Sequence, residues 1–307
     1  MDLNNLRETS NFDDRRGQSG GFSGASWDGG FGGFGGSGIG VRGGGLGFVG
    51  LLILYFLFGS GGSGGGLLSN LGNDDSGNSS TPATQSQTAD THSNDSQLDF
   101  ARKIVGSAED VWTPILAARG VTFTPAVITF YTTETPTACG DGQATAGPFY
   151  CPNDNRIYLD LSFFNQLATQ FGAPGQFAQA YVITHEFGHH IQNLVGTMDK
   201  EQSALQGSGA QGATGASVRL ELQADCYAGV WAYQANAKFH ILQNGDVEGG
   251  LKAASSVGDD TLEKQSQGYA VPDSFTHGTS AQRMRWFQRG IAHGNMDDCD
   301  TFGASTL

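Results

Sequence analysis

The chain has 307 residues, which is enough for one or two domains, and it carries a formal net charge of −14 at pH 7. The part after residue 98 has no cluster of lysine or arginine, and this acidic balance argues against nucleic acid as a partner. The 48 glycines are concentrated before residue 67, so the folded part is smaller than the length suggests.

The N-terminal third is built from low-complexity sequence around one apolar run. Residues 1–43 combine Gly and Ser with scattered charges, and we expect them to be disordered because they cannot bury enough apolar surface. Residues 44–60 carry no charge and hold the strongest apolar run. A signal-peptide core or a buried helix can have this length, but a long segment precedes the run and glycine-rich tracts flank it. The pattern therefore favours a single transmembrane anchor.

The distribution of basic residues predicts how this anchor is oriented. Arg7, Arg15, Arg16 and Arg42 precede the run, whereas the next basic residue is Arg102. The positive-inside rule then places the N-terminus in the cytoplasm and the remainder of the chain outside it.

A polar segment separates the apolar run from the part that we expect to fold. Residues 61–97 consist mainly of Gly, Ser, Thr, Asn and Asp, which is typical of a flexible stalk. The sequence therefore predicts that residues 98–307 form the folded domain.

All four cysteines follow the predicted anchor, and an even number in an oxidising compartment favours two disulfides. Cys139 and Cys151 bracket a turn-rich segment, which suits a local bridge. Cys226 and Cys299 would then tie the C-terminus to a central helix. The alternative of a four-cysteine zinc site lacks any Cys-x-x-Cys spacing.

The sequence pattern of residues 98–307 predicts an α+β domain with a small sheet. Apolar residues at helical spacing indicate an amphipathic helix over 100–116 that ends at Gly120. β-branched and aromatic residues predict strands over 126–132 and 156–161. Short helices precede a longer helix over about 176–195 that is apolar nearly all round, so we expect it to be central and buried.

The central helix carries the motif His185-Glu186-Phe187-Gly188-His189. Histidines four residues apart project from one face of a helix and can bind a single Zn²⁺, and Glu186 lies beside that face. Such polar residues are costly on a buried helix unless a metal or a partner satisfies them.

Two neighbours of the motif have structural interpretations. His190 shares a face with apolar residues, so we interpret it as a hydrogen-bonded core histidine rather than a ligand. Gly188 allows close approach of another backbone or of the metal, and a packing role alone is equally compatible with the sequence.

A catalytic zinc site usually has three protein ligands, so one ligand remains to be found. The metzincin pattern is excluded because Gln192 and Val195 occupy its Gly and His positions. Glu201 lies in a polar, glycine-rich stretch that is a poor platform for a ligand. Glu221, on a second buried helix predicted over 218–236, is the better candidate. Asp225 follows it by one turn and is expected to accept the second N–H of a zinc-bound histidine, most plausibly that of His189.

Together these motifs resemble gluzincin-type metallopeptidases, in particular a bacterial family of membrane-anchored neutral zinc metallopeptidases. The resemblance is carried by the stretches 14–17, 139–151, 185–190, 221–229 and 277–287. It implies a zincin-like fold with one Zn²⁺ bound by His185, His189 and Glu221, and with Glu186 as general base. A stretch that begins at His277 is similar to the one that stabilises the oxyanion in integral-membrane gluzincins. Arg283 would hold the acidic residue of the ligand helix, and Gly278 replaces the proline of that pattern.

These observations lead us to expect a membrane-tethered zinc endopeptidase on the periplasmic side of the inner membrane. Its partners would be a protein or peptide substrate and the lipid bilayer. Glu186 would take a proton from a metal-activated water and pass it to the leaving amine. We expect the strand segment Ile157 to Leu161 to align the peptide by β-augmentation. The alternative function is a tethered zinc-binding module that holds a partner without cleaving it.

Overall fold

The computed structural model describes residues 1–17 and 91–307. Two small sheets and several surrounding helices give the α+β arrangement that the sequence predicts, and this arrangement is consistent with a zincin-like domain. The predicted anchor at 44–60 lies outside the described residues, as does most of the predicted stalk. Within the described ranges, no helix has both the length and the apolar character needed to span a bilayer.

The elements are numbered here in chain order. The strands are β1 (Phe12–Asp14), β2 (Val127–Phe130), β3 (Glu134–Thr137), β4 (Gly140–Gln143), β5 (Phe149–Cys151) and β6 (Arg156–Leu159). The helices are α1 (Thr91–Ala117), α2 (Phe163–Thr169), α3 (Gln176–Leu194), α4 (Thr197–Lys200), α5 (Gln202–Leu205), α6 (Ala216–Phe239), α7 (Asp246–Ser256), α8 (Asp259–Gln267) and α9 (Ser280–His293).

The larger sheet has the strand order β1-β2-β6-β5. Strands β1, β2 and β6 are parallel, whereas β5 pairs with β6 in the antiparallel sense and forms an edge of the sheet. The central strands are apolar and buried, as in sheets that are covered on both faces. The prediction that β6 aligns a substrate is therefore wrong, because both of its edges are already paired.

Two long helices, α3 and α6, pass through the core as predicted and pack against each other. Helix α9 packs closely along α6 because glycines stand where the two backbones meet. A Cβ atom at Gly290 would overlap the carbonyl oxygen of Cys226, and a Cβ at Gly229 would overlap that of Phe287. This close contact fixes α9 and the loop before it relative to the ligand helix.

Both disulfides pair as predicted. Cys139 is bonded to Cys151, and Cys226 on α6 is bonded to Cys299 in the short helical turn after α9. The described residues contain no free cysteine, which excludes the four-cysteine zinc site. The second bridge closes a separation of 73 residues and holds the C-terminal segment on α6.

The prediction that the first 43 residues are disordered is wrong for residues 1–17. Strand β1 adds to the edge of the sheet in parallel with β2, and Leu6 and Thr9 are buried. Polar bonds from Thr9 and Asn11 to the buried Glu109 of α1 fasten the segment. The domain predicted to begin at residue 98 also begins earlier than expected. Helix α1 starts at Thr91, inside the predicted stalk.

The docked strand bears on the predicted membrane topology, which stays a prediction. Phe12 is the register partner of Ile128, and Asp14 is the partner of Phe130. Hydrogen-bonded neighbours in one sheet cannot lie on opposite sides of a bilayer. Residues 12–14 are therefore part of the same sheet as residues 127–130 and 156–159.

Candidate metal centre

Helices α3 and α6 bring three predicted metal ligands together. His185 and His189 lie one turn apart on α3, and Glu221 faces them from α6. The two helices approach closely because Gly188 has no side chain: a Cβ atom there would lie 3.0 Å from the carbonyl oxygen of Ala224. Of the two roles that the sequence left open for Gly188, close approach of a second backbone is the one observed.

The ligand atoms converge on one point. His185 Nε2 lies 3.1 Å from Glu221 Oε2, and His189 Nε2 lies 3.4 Å from Glu221 Oε1. One donor atom from each of the three residues falls within 4.8 Å of the others. Two imidazoles and one carboxylate form a donor set that catalytic zinc sites use, and this set leaves one position open for water or substrate.

The hydrogen bonds made by the Nδ1 atoms of the two histidines explain why the site can bind a cation. His185 Nδ1 lies 2.9 Å from Asp225 Oδ1, and His189 Nδ1 lies 2.8 Å from Gln192 Oε1. Since both partners are acceptors, each Nδ1 carries a proton and each ring directs its Nε2 toward Glu221. Three acceptors that face one another require a proton or a metal between them. The residues present therefore fit a zinc ion.

Asp225 is positioned differently from the prediction. It was expected to accept the N–H of His189, but it bonds His185, and Gln192 takes its place at His189. The physical reason is helical phase: Asp225 lies one turn beyond Glu221 on α6 and reaches the earlier histidine of the antiparallel α3, whereas Gln192 shares the face of α3 that carries His189.

Arg283 on α9 forms a bidentate ion pair with Asp225. Its Nε lies 2.9 Å from Asp225 Oδ2, and its Nη2 lies 2.9 Å from Asp225 Oδ1. The hydroxyl of Tyr181 donates to the same carboxylate. The structure thus brings Arg283 to the acidic residue of the ligand helix, which is the contact that the family resemblance implies.

Buried charges perturb the protonation of the ligands. Burial lowers the pKa of His185, but the carboxylates of Asp225 and Glu221 together outweigh burial and raise that pKa to about 10. Burial raises the pKa of Glu221, and the neighbouring His189 and His185 outweigh it and hold the pKa well below its usual range. In the metal-free site the proton therefore resides on the imidazole, where it occupies the place of a cation.

Glu186 lies beside the ligands and lines the same cavity. Burial raises the pKa of its carboxyl group above the usual value, and the charges of His185 and His189 partly oppose that shift. A carboxyl group with a raised pKa next to a metal is suited to accept a proton and then release it. This is the property that a general base at this position requires.

His277 reaches the cavity from the loop between α8 and α9. The carboxylate of Asp259 organises that loop: its Oδ2 accepts the backbone N–H groups of Thr276, His277 and Gly278 at 2.7–3.0 Å. Its Oδ1 lies 3.0 Å from His277 Nδ1. Burial lowers the pKa of His277, but the carboxylates of Asp259 and Glu221 together outweigh burial and raise it above the usual value. The Nε2–H of a protonated His277 is thereby directed toward the cavity.

His190 and Glu201 stand apart from the cluster, as predicted. The ring of His190 lies 3.0 Å from the hydroxyl of Tyr150 and 2.6 Å from the carbonyl oxygen of Thr124. Burial lowers the pKa of His190 to about 4, which keeps this core histidine neutral. Glu201 follows α4 and pairs with Lys200.

A cavity of about 110 Å³ opens onto the centre, and most of its lining is apolar. The edge strand β5 and its flanks contribute one wall through Phe149, Tyr150 and Pro152. Val182 of α3 and Met198 of α4 also line the cavity. Strand β5, whose outer edge has no partner among the described residues, therefore runs beside the candidate centre in place of β6.

Three polar residues of the site were not singled out from the sequence: Gln192, Tyr181 and Asp259. Gln192 carried a usable signal, since it follows the motif by one turn on the ligand face. Asp259 carried none, because its contact with His277 joins positions 18 residues apart through a loop.

Comparison with known proteins identifies the family of the chain. The family model described as "Putative neutral zinc metallopeptidase" matches residues 1–302. A relative named "Uncharacterized protein YpfJ" from Escherichia coli K12 is 44% identical over 226 residues, which cover 73% of this chain and 78% of the relative. "Uncharacterized protein Rv2575" from Mycobacterium tuberculosis H37Rv is 43% identical over 211 residues, which cover 66% of this chain and 69% of the relative. No solved structure matches significantly.

The family match begins at the first residue, includes the docked strand β1 and extends through both ligand helices to the turn that carries Cys299. It therefore includes every element that builds the candidate centre. The chain belongs to the neutral zinc metallopeptidase family.

Proposed function

We propose that this protein is a zinc-dependent endopeptidase with Glu186 as its general base. The observation that carries the proposal is the convergence of His185, His189 and Glu221 beside Glu186 at the mouth of an apolar cavity. Zinc held by these ligands would supply a Lewis acid that polarises a peptide carbonyl and lowers the pKa of water toward about 7.

The residues of this chain supply the proton transfers. Glu186 accepts the proton of the attacking water and delivers it to the nitrogen of the leaving amine. His277, held by Asp259, donates its Nε2–H to the oxygen on which negative charge develops. A binding module that only holds a partner has no use for a buried carboxyl group in this position.

The shape of the site indicates a class of substrate. An extended peptide can pair with the free edge of β5, whose other edge is bonded to β6. The cavity beside it is lined by Phe163, Val182 and Met198 and suits a bulky apolar side chain next to the scissile bond. The two disulfides support an oxidising compartment as the place where this activity operates.

The test compares the zinc-loaded full chain with its Glu186→Gln form on a library of peptides of varied sequence. We expect Glu186→Gln to retain its zinc and its melting temperature while hydrolysis falls by roughly 10²- to 10⁴-fold, because only the proton acceptor is lost. Glu201→Gln is the matched control and should cleave at the wild-type rate. Full activity of Glu186→Gln would refute the mechanism. A wild-type protein that binds zinc and peptides without cleaving any would favour the binding module.

A further inference from the structure

A chain of amide hydrogen bonds joins the candidate zinc ligand His189 to the C-terminal disulfide. Gln192 Nε2 donates to the carbonyl oxygen of Leu220 at 2.7 Å and to Gln223 Oε1 at 3.1 Å. Gln223 Nε2 in turn donates to the carbonyl oxygen of Cys299 at 3.0 Å. Gln192 is fully buried and Gln223 is 7% exposed.

The acceptors at the two ends of this series of hydrogen bonds determine which way each glutamine amide is oriented. The carbonyl groups of Leu220 and Cys299 can only accept, so each glutamine must turn its NH₂ group toward them. The amide oxygen of Gln192 must then face His189 Nδ1, which it meets at 2.8 Å. His189 therefore carries its proton on Nδ1 and leaves Nε2 free for a metal.

The disulfide holds the far end of the chain. Cys299 lies in a short helical turn after α9, and its bond to Cys226 keeps that turn against α6, one helical turn beyond Gln223. Loss of the bridge would release the carbonyl group that orients Gln223. The reorientation of Gln223 would then remove one of the two acceptors that orient Gln192.

We propose that Gln192 and Gln223 are positioning residues that fix the orientation and tautomer of His189, and that the Cys226–Cys299 disulfide sets zinc affinity through them. The inference rests on the proposed zinc site. It predicts that the protein holds zinc more tightly when this disulfide is formed than when it is absent. We therefore expect the protein to reach its full affinity for zinc only in an oxidising compartment.

The test measures the zinc dissociation constant of the full chain by competition with a chromophoric chelator. We expect Gln192→Leu to weaken zinc binding by roughly 10- to 100-fold, since partners of metal-bound histidines have effects of this size. Gln223→Leu should weaken it by about tenfold, and so should replacement of both Cys226 and Cys299 by serine. Gln176→Leu, at an exposed position of the same helix, is the matched control.

Two further measurements separate positioning from general loosening of the fold. Replacement of Cys139 and Cys151 by serine removes the other disulfide and should leave zinc affinity within about threefold of the wild type. The serine pair at 226 and 299 should cause no further loss in the Gln223→Leu background, because both changes break the same chain. The visible absorption of the Co²⁺-loaded protein should shift in Gln192→Leu, since the ligand field depends on the orientation of the imidazole.

The outcomes are distinguishable. Wild-type zinc affinity in a folded Gln192→Leu protein, or an equal loss from removal of either disulfide, would overturn the inference and leave the proposed peptidase intact. A wild-type protein that binds no zinc would overturn both. Additive losses from Gln223→Leu and the 226/299 serine pair would show that the disulfide acts by another route.

A second observation carries an inference of its own about the N-terminal segment. Arg7 and Arg15, two of the arginines on which the predicted cytoplasmic N-terminus rests, are engaged in the fold. Arg7 pairs with Glu109 and Asp110 of α1. Arg15 pairs with Asp13 beside it, and its guanidinium also donates to Thr135.

The docking surface on α1 is shaped for this segment. Gly106 has no side chain where the segment crosses the helix, and a Cβ atom there would overlap the carbonyl oxygen of Arg7. The buried carboxylate of Glu109 accepts bonds from Thr9 and Asn11 at 2.7 and 2.9 Å. The family match also begins at the first residue.

We infer that residues 1–17 are a permanent part of the peptidase fold and lie in the same compartment as residues 91–307. The test fuses an epitope tag to each end of the full chain and adds protease to spheroplasts and to inverted membrane vesicles. Both tags should be lost from the same preparation and protected in the other. Loss of one tag only from the outside and of the other only from the inside would overturn the inference.

Discussion

Asp259→Asn gives a sharp test of how the loop residue His277 acts. The substitution keeps the size of the side chain, and the amide oxygen can still accept the backbone N–H groups of residues 276–278. It removes the negative charge that faces His277 Nδ1 at 3.0 Å. The loop should therefore keep its shape while the protonation of the imidazole changes.

The sign of the effect follows from the pKa. Burial lowers the pKa of His277 and the Asp259 carboxylate raises it above 6.5, so the charged ring persists up to that raised value. Activity that depends on the imidazolium is present below the raised pKa and is lost as pH rises through it. Without the carboxylate, burial and the charge of Arg283 lower the pKa of His277 and only Glu221 still raises it, so the pKa falls and the ring loses its proton at a lower pH.

We expect kcat of Asp259→Asn at pH 7 to fall by roughly tenfold, because the new amide NH₂ group donates to Nδ1 and leaves an uncharged Nε2–H donor in place of the charged one. The alkaline limb of the profile of kcat against pH should move to lower pH. Steady-state hydrolysis of one peptide across roughly pH 5 to 9 measures both quantities. Asp260→Asn is the matched control, because Asp260 bonds Ser280 rather than His277. An unchanged kcat and profile in Asp259→Asn, or an equal loss in Asp260→Asn, would refute the reasoning.

Three other predictions follow from the same contacts. Glu221→Ala should weaken zinc binding severely while Glu201→Ala leaves it near wild type, and chelator competition showing the reverse would reassign the third ligand. Zinc uptake should release protons and weaken as pH is lowered, because the pKa of His185 is raised to about 10 and its proton must leave; calorimetry in buffers of different ionisation enthalpy measures this release. Thr9→Val should lower the free energy of unfolding in urea by about 2 kcal/mol, since its hydroxyl donates to a buried carboxylate, whereas Thr113→Val, exposed on α1, should change it by less than about 0.5 kcal/mol. Equal effects of the two threonine changes would contradict the docked position of residues 1–17.

The features that were predicted well are those whose signal is local. The spacing of His185 and His189 on a helix is set by the period of that helix, so the sequence places them on one face without knowledge of the rest of the fold. Glu221 was found because a buried helix that carries an acid needs a partner for it. The alternation of residues around β6 showed a strand, but which of its edges are paired depends on β2 and β5, and no local pattern carries that information.

The N-terminal segment shows where this reasoning stops. Its 17 described residues have few apolar side chains, and composition alone predicts disorder. The segment is stabilised instead by its contacts with the rest of the fold. It forms backbone hydrogen bonds with β2, packs where Gly106 has no side chain and donates hydrogen bonds to the carboxylate of Glu109. Each of these depends on residues about a hundred positions away. The same dependence bears on Arg7 and Arg15, because a residue that serves an ion pair in the fold is also counted as a topology signal when the fold is not known. A charge can be used to orient a segment relative to a membrane only after its partners within the folded protein have been identified.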